Sequence, residues 1–257
     1  MASVPSGPPG VIIISFRRAM KLITFDFWNT LFLDQNEHQR NQKRIGFAFE
    51  VLRKHREDLR LPQVENAFAA AARDFDRQWK ELKAGNMDRY TGVLLQDLQM
   101  TIPDGDRRRL VHFFETVLLD FQPGVVSGAG EAVRHAGSRM KLGLISDTGY
   151  SPGTTLRRIL GIHNLEDHFH SFSFSNETGY LKPRPETYRR ILDDLEIAPE
   201  DAVHIGDLEH TDVAGAKQIG MKAIKFIGAN REAQRESIAD VVIEDLSELP
   251  AALDRLL

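Results

Sequence analysis

The sequence predicts an α/β protein: a mostly parallel sheet core into which an all-helical domain is inserted. Two observations carry this. After Pro123, short apolar runs alternate with helical stretches, the rhythm of strands joined by crossover helices. Before it, residues 35–122 read as helical and cut off one strand-like run, Leu22–Phe25, from all the others. The expected boundaries are a loose segment at 1–19, a core at 20–34 and 123–257, and a helical domain at 35–122.

Taken in order, residues 2–10 are rich in Pro, Gly and Ser and should be loose. The apolar run at 11–14 is followed, not preceded, by Arg17 and Arg18, so it makes no secretory signal. The folded unit is expected to begin near Met20. Residues 22–25 form a short apolar run ending at Asp26, as a buried parallel strand does. Val64, Phe68, Ala71, Phe75, Trp79 and Leu82 then recur at steps of three or four, an apolar stripe expected to pack between helices. A second stripe follows at Leu110, Phe113, Phe114, Val117, Leu118 and Phe121, and Pro123-Gly124 closes the region.

Beyond it, residues 142–145 lead into Ser146, and Ser151-Pro152 reads as an N-cap followed by proline at the first helical position. Residues 172–174 precede Lys182-Pro183, and Pro185 opens a helix through Leu195. Residues 203–205 run into Gly206-Asp207, with further strands at 223–226 and 241–243.

Composition narrows the chemistry. With 42% apolar and 27% charged residues in 257, the chain is neither disordered nor fibrous as a whole. The absence of cysteine removes disulfides, thiolate zinc sites, iron–sulfur clusters and a cysteine nucleophile, and fits an expected cytoplasmic location. Basic residues number 33 against 37 acidic, so no basic excess points to nucleic acid. No run reaches the roughly 18 apolar residues that span a bilayer.

Several predicted strands end at a polar or charged residue: Asp26, Ser146, Asp207. In an open α/β sheet the carboxyl ends of the strands line the ligand crevice. A carboxylate there is costly unless it is paired, coordinates a metal or performs chemistry. Asp26, Asp207 and Asp212 together suit a hard cation such as Mg²⁺, and Lys182 offers a point charge to a phosphate or to Asp26.

The series Phe25-Asp-Phe-Trp-Asn-Thr-Leu31, Leu144-Ile-Ser-Asp147, Leu181-Lys-Pro183 and His204-Ile-Gly-Asp-Leu-Glu-His-Thr-Asp212 resembles, in order, the four motifs of the haloacid dehalogenase (HAD) superfamily. The likeness covers about residues 21–34 and 123–250, and the helical region at 35–122 is similar to that family's cap in position and helical character. The resemblance implies a Rossmann-like core under an all-helical cap, and a Mg²⁺-dependent phosphohydrolase acting on a small phosphorylated metabolite. It implies that Asp26 is the nucleophile and forms an aspartyl phosphate. Thr30 and Ser146 would hydrogen-bond the phosphoryl oxygens, and Lys182 would neutralise charge between Asp26 and the phosphoryl group. Mg²⁺ would be held by Asp26, the backbone carbonyl of Trp28, Asp207 and Asp212.

One departure matters most. Family phosphatases usually carry a second aspartate two residues after the nucleophile, as acid and then base; this chain has Trp28, whose indole is neither near neutral pH. A positioned acid is worth roughly 10²–10⁴ in rate, so simple alkyl phosphates should turn over slowly unless another group supplies the proton. Nearby in sequence are Asp34, Asp147 and His210, each expected to be a surface or supporting group. An aromatic residue at this position also resembles the haloacid dehalogenases, which displace halide from carbon without a leaving-group acid or a metal; the acids Asp207 and Asp212 argue against that chemistry. A third reading is a catalytically weak protein that binds phosphorylated ligands or holds a long-lived aspartyl phosphate as a switch.

Other patterns carry less. Gly124, Gly128 and Gly130 suggest a dinucleotide loop, but the third glycine falls on Val133, so a turn before a helix is expected. His163, His168 and His170 lack zinc-type spacing and should cap a helix or face solvent. Asp106 to Arg109 should be an exposed first helical turn. The expected partner is a small phosphorylated molecule, with no nucleic acid and no membrane; monomer and homodimer both stay open.

Overall fold

The structure, a computed structural model, describes residues 19–229 and 236–256, so the expected loose segment at 1–19 lies outside the described residues except for Ala19. β1 (Leu22–Phe25) is wholly buried, as a central strand covered on both faces must be. A tight turn leads to β2 (Phe32–Leu33) and then to four helices: α1 (Glu37–Leu52), α2 (Leu61–Lys80), α3 (Met87–Asp97) and α4 (Asp104–Thr116). β3 (Gly124–Val125) returns antiparallel to β2, with Phe32 opposite Val125. The two connections to the helices thus run side by side.

Strands and helices then alternate through α5 (Ala129–Gly137), β4 (Lys141–Ser146), α6 (Gly153–Ile162), β5 (Ser171–Phe174), α7 (Ser175–Thr178) and α8 (Pro185–Leu195). The chain ends with β6 (Ala202–Gly206), α9 (Ala214–Gln218), β7 (Lys222–Phe226), β8 (Val241–Ile243) and α10 (Leu249–Leu256). Six strands form one sheet in the order β5-β4-β1-β6-β7-β8, every pair parallel.

The pleat of β1 divides the core. Ile23 and Phe25 join Val133 of α5, Ile159 of α6 and Leu253 of α10 on one face, while Leu22 meets Tyr188 and Ile191 of α8 and Ala216 of α9 on the other. This is the predicted α/β, Rossmann-like parallel core. Strand order reverses about β1, and that places a crevice at its carboxyl end.

The four inserted helices bury a cluster of their own, including Leu52, Val64, Phe68, Leu94, Leu110 and Phe114. The second stripe behaves as expected: Leu110, Phe114, Val117 and Leu118 are buried, and Phe113 stacks on Phe47 at 4.0 Å between ring centroids. The first stripe does not stay in the core along its length. Val64, Phe68 and Ala71 are buried, but Trp79 is 38% exposed. α2 has 20 residues and its neighbour α3 only 11, so the last turn of α2 runs past the bundle and presents Trp79 elsewhere. The start of α6 also differs: Pro152 occupies the N-cap position, and Ser151 closes a turn onto the Thr148 carbonyl. Among the described residues no helix is long and apolar enough to cross a membrane.

Candidate active site

β4, β1 and β6 lie side by side at the centre of the sheet, and their carboxyl ends deliver Ser146, Asp26 and Asp207 to one edge of it. Asp26 is fixed by its backbone, whose N–H donates to the Ile205 carbonyl at 2.9 Å. After β6 the chain forms a wide turn over Glu209–Val213, which folds Asp212 back toward the strand it has just left. Gly206 makes that approach possible: a Cβ there would stand 2.3 Å from Asp212 Cγ.

Lys182 ties the acids together. Its Nζ donates to Asp26 Oδ1 and to Asp212 Oδ1, each at 2.6 Å, with all three groups buried. Asp212 accepts further from the Leu208 N–H at 3.0 Å and lies 3.0 Å from His204 Nε2. Burial pushes the imidazole's pKa down despite that hydrogen bond, so the ring is neutral. A carboxylate can only accept, so Nε2 carries the hydrogen, and Nδ1 accepts from the Thr24 hydroxyl at 2.8 Å.

The acids do not titrate alike. Burial raises Asp26 well above the ordinary carboxylate range, against the pull of Lys182. Burial, reinforced by the charge of Asp212, raises Asp207 to about 6. Asp212 resists burial because Lys182 and His204 hold it well below the usual range. Lys182 is opposed by burial too, yet Asp212 and Asp26 hold it charged. One lysine thus faces three buried carboxylates whose oxygens lie within 4.8 Å of one another. That excess of negative charge and those hard oxygen donors suit a divalent cation such as Mg²⁺.

These groups line a cavity of about 230 Å³ with Trp28, Asn29, Trp79 and Asp147. Three contributors carry no signal in residue spacing. Asn29, in a left-handed turn at φ 54°, donates its side-chain amide to Asp207. Trp79 reaches in from α2 and donates to Asp147. His204, inside a strand, could be noticed only once Asp212 was placed beside it.

Of the residues singled out in the sequence, Asp26, Trp28, Lys182, Asp207 and Asp212 meet here. Thr30 and Ser146 are fully buried nearby in sequence but outside the cavity wall. The Thr30 hydroxyl has no hydrogen-bond partner, and Ser146 Oγ reaches only the Asp147 carbonyl at 3.5 Å. Among the three acid candidates, Asp147 lines the cavity, with burial raising its carboxyl despite Lys182. Asp34 is exposed and bound to Arg40. His210 is exposed, edge-on to Trp79. His163, His168 and His170 join no metal-type cluster among the described residues.

A profile of the haloacid dehalogenase-like hydrolases matches residues 20–220. Over 116 residues the chain is 33% identical to a glyceraldehyde 3-phosphate phosphatase of Pyrococcus furiosus, covering 44% of this chain and 47% of that protein. The matched stretch is thus about half the length of that phosphatase. The chain is 25% identical over 256 residues to the human haloacid dehalogenase-like hydrolase domain-containing protein 3, covering 95% and 97% of the two. Among solved structures, a 2-haloacid dehalogenase from Pseudomonas syringae pv. Tomato DC3000 superposes with a TM-score of 0.72 at 23% identity, covering 93% of this chain and all of the other; that likeness bears on the fold.

Proposed function

The chain belongs to the haloacid dehalogenase-like hydrolases, and from that premise we propose that it hydrolyses small phosphate monoesters in a Mg²⁺-dependent reaction. The observation that carries the reading is Asp26 at the end of β1, bridged through Lys182 to Asp212 and flanked by Asp207. The matched phosphatase from Pyrococcus furiosus supports the same class of substrate.

Asp26 attacks phosphorus. Its Oδ–P bond forms as the P–O bond to the leaving group breaks, and water then attacks the aspartyl phosphate to release phosphate and restore the carboxylate. A nucleophile must be ionised, and burial opposes this; Lys182 favours the charged form and would meet the phosphoryl oxygens as they gain charge. Asp26, Asp207, Asp212 and the Trp28 carbonyl would hold Mg²⁺, which supplies positive charge to the phosphoryl group when bound. Thr30, whose buried hydroxyl has no hydrogen-bond partner, and Ser146, whose hydroxyl makes only a 3.5 Å contact, would donate to phosphoryl oxygens, although neither lines the cavity wall. His204 holds Asp212 from behind and takes no proton in the reaction.

Trp28 leaves the leaving-group proton unassigned, and we assign it to Asp147, which lines the cavity, whose carboxyl burial raises against the pull of Lys182, and which is not among the residues that would hold the metal. The helices α1 to α4 act as a cap, selecting the substrate and excluding water over Asp26. The aromatic side chain of Trp28 also favours a second reading, carbon–halogen hydrolysis. Release of phosphate from a panel of phosphorylated metabolites with and without Mg²⁺ tests the main proposal. Halide release from 2-chloropropionate without Mg²⁺, and no phosphate release, would favour the other.

A further inference from the structure

Trp28 and Asp147 line a second space as well, a cavity of about 340 Å³ between the inserted helices and the core. A molecule with its phosphoryl group over Asp26 would therefore extend past these two side chains into this cavity. Two arginines one turn apart on α1 line its wall, Arg40 at 4% exposure and Arg44 at 2%.

The two are held differently. Arg40 donates to the Asp34 carboxylate and the Gln35 carbonyl, and so fastens the connection that leads into the helices. Arg44 makes no ion pair among the described residues. Its Nε donates to the Phe114 carbonyl at 3.1 Å and its Nη1 to the Asn41 side chain at 2.9 Å, and the guanidinium lies 4.9 Å from the centroid of the Tyr150 ring. Burial, helped by Arg40, lowers its pKa to about 10. A guanidinium has five N–H donors, and one taken out of water is costly without an anion to meet it. Here the remaining donors and the charge are left to the cavity.

We propose that Arg44 binds a carboxylate on the far end of the substrate, so that the substrate class is small phosphate monoesters bearing a second, carboxylate anion. The proposal rests on the phosphohydrolase reading of Asp26. The planar fork of a guanidinium matches a carboxylate with two parallel hydrogen bonds. Of the acids that also line the cavity, Asp34 is paired with Arg40, Glu37 and Asp76 are exposed, and Asp147 lies at the Asp26 end. The carboxylate therefore seats at the inner end, against the edge of the Arg44 guanidinium whose face meets the Tyr150 ring. Trp28 then has a positive role, an apolar wall for the carbon chain that joins the two anions.

A matched pair of esters tests this. 3-Phosphoglycerate and glycerol 1-phosphate share a carbon skeleton and differ in carrying a carboxylate or a neutral hydroxymethyl group. Each is titrated calorimetrically, with Mg²⁺, into Asp26→Asn protein, which cannot turn over, and into the same protein carrying Arg44→Gln or Arg44→Lys. The expected result is roughly 10–100-fold tighter binding of 3-phosphoglycerate to Asp26→Asn, the range for hydrogen bonds to charged groups. Arg44→Gln should bring that ratio close to one, and Arg44→Lys should keep part of it. Equal affinity for the two esters in Asp26→Asn, or a preference that survives Arg44→Gln, overturns the proposal. Phosphate release by the unaltered chain is read separately. No hydrolysis of either ester, with the binding preference intact, would sink the phosphohydrolase reading and leave the Arg44 site standing.

Discussion

At the scale of residues, the site is an exercise in keeping one carboxylate charged where burial opposes it. Asp26 and Asp207 are both pushed up, and Asp212 is held down by Lys182 and a neutral His204. The sequence displayed the acids and the lysine, because each sits at a strand end or in a short motif. It did not display Asn29, Trp79 or His204, whose roles depend on which neighbour the fold brings to them. Trp28 shifts attention to Asp147 as proton donor. In Asp147→Asn, hydrolysis of alkyl phosphates should fall by roughly 10²-fold, while aryl phosphates, whose leaving groups need little protonation, should lose far less. Parallel losses for both in a substrate series with graded leaving groups would remove Asp147 from that role.

At the scale of elements, short structures decide what long ones only support. The turn at Glu209–Val213 carries Asp212 back to Lys182, and Gly206 is the residue that lets it. Gly206→Ala should displace Asp212, leave the sheet folded, and lower turnover by about 10²-fold, the scale of loss from a misplacement near 1 Å. Circular dichroism beside steady-state rates checks both halves. The antiparallel pairing of β2 with β3 was invisible in the sequence, since two residues a side are too few for any period to register. The first apolar stripe misled for the opposite reason. Its period is regular from Val64 to Leu82, but periodicity cannot report where the partner helices stop, and Trp79 lies beyond that point.

At the scale of the whole molecule, the α/β core was legible because buried parallel strands read as short, mainly apolar runs alternating with helical stretches, even where Thr24, Ser171, Ser173 and His204 interrupt them. The crevice was expected at the carboxyl ends of the strands, and the structure adds the strand order, which reverses about β1 and so sets Asp26 at that point. The second cavity was not legible, because it lies between elements distant in the chain: Arg44 on α1, Trp28 after β1 and Tyr150 after β4. Mg²⁺ binding should be felt by the entire fold. At a concentration near one hundred times its dissociation constant the ion stabilises the native state by about 2.7 kcal/mol, a rise in melting temperature of roughly 5–10 °C for a chain of this size. Asp207→Asn should lose most of that rise; an equal shift in both proteins would place the ion elsewhere.

The central claim is that Asp26 is the nucleophile, and it can be read directly. The protein is mixed with a reactive aryl or acyl phosphate and Mg²⁺, quenched in acid within the first turnover, digested and mapped by mass. The account predicts that the peptide containing Asp26 gains one phosphoryl group, and that Asp26→Asn shows neither adduct nor turnover. Phosphate released at an undiminished rate by Asp26→Asn, with no adduct on Asp26 in the unaltered chain, would contradict it.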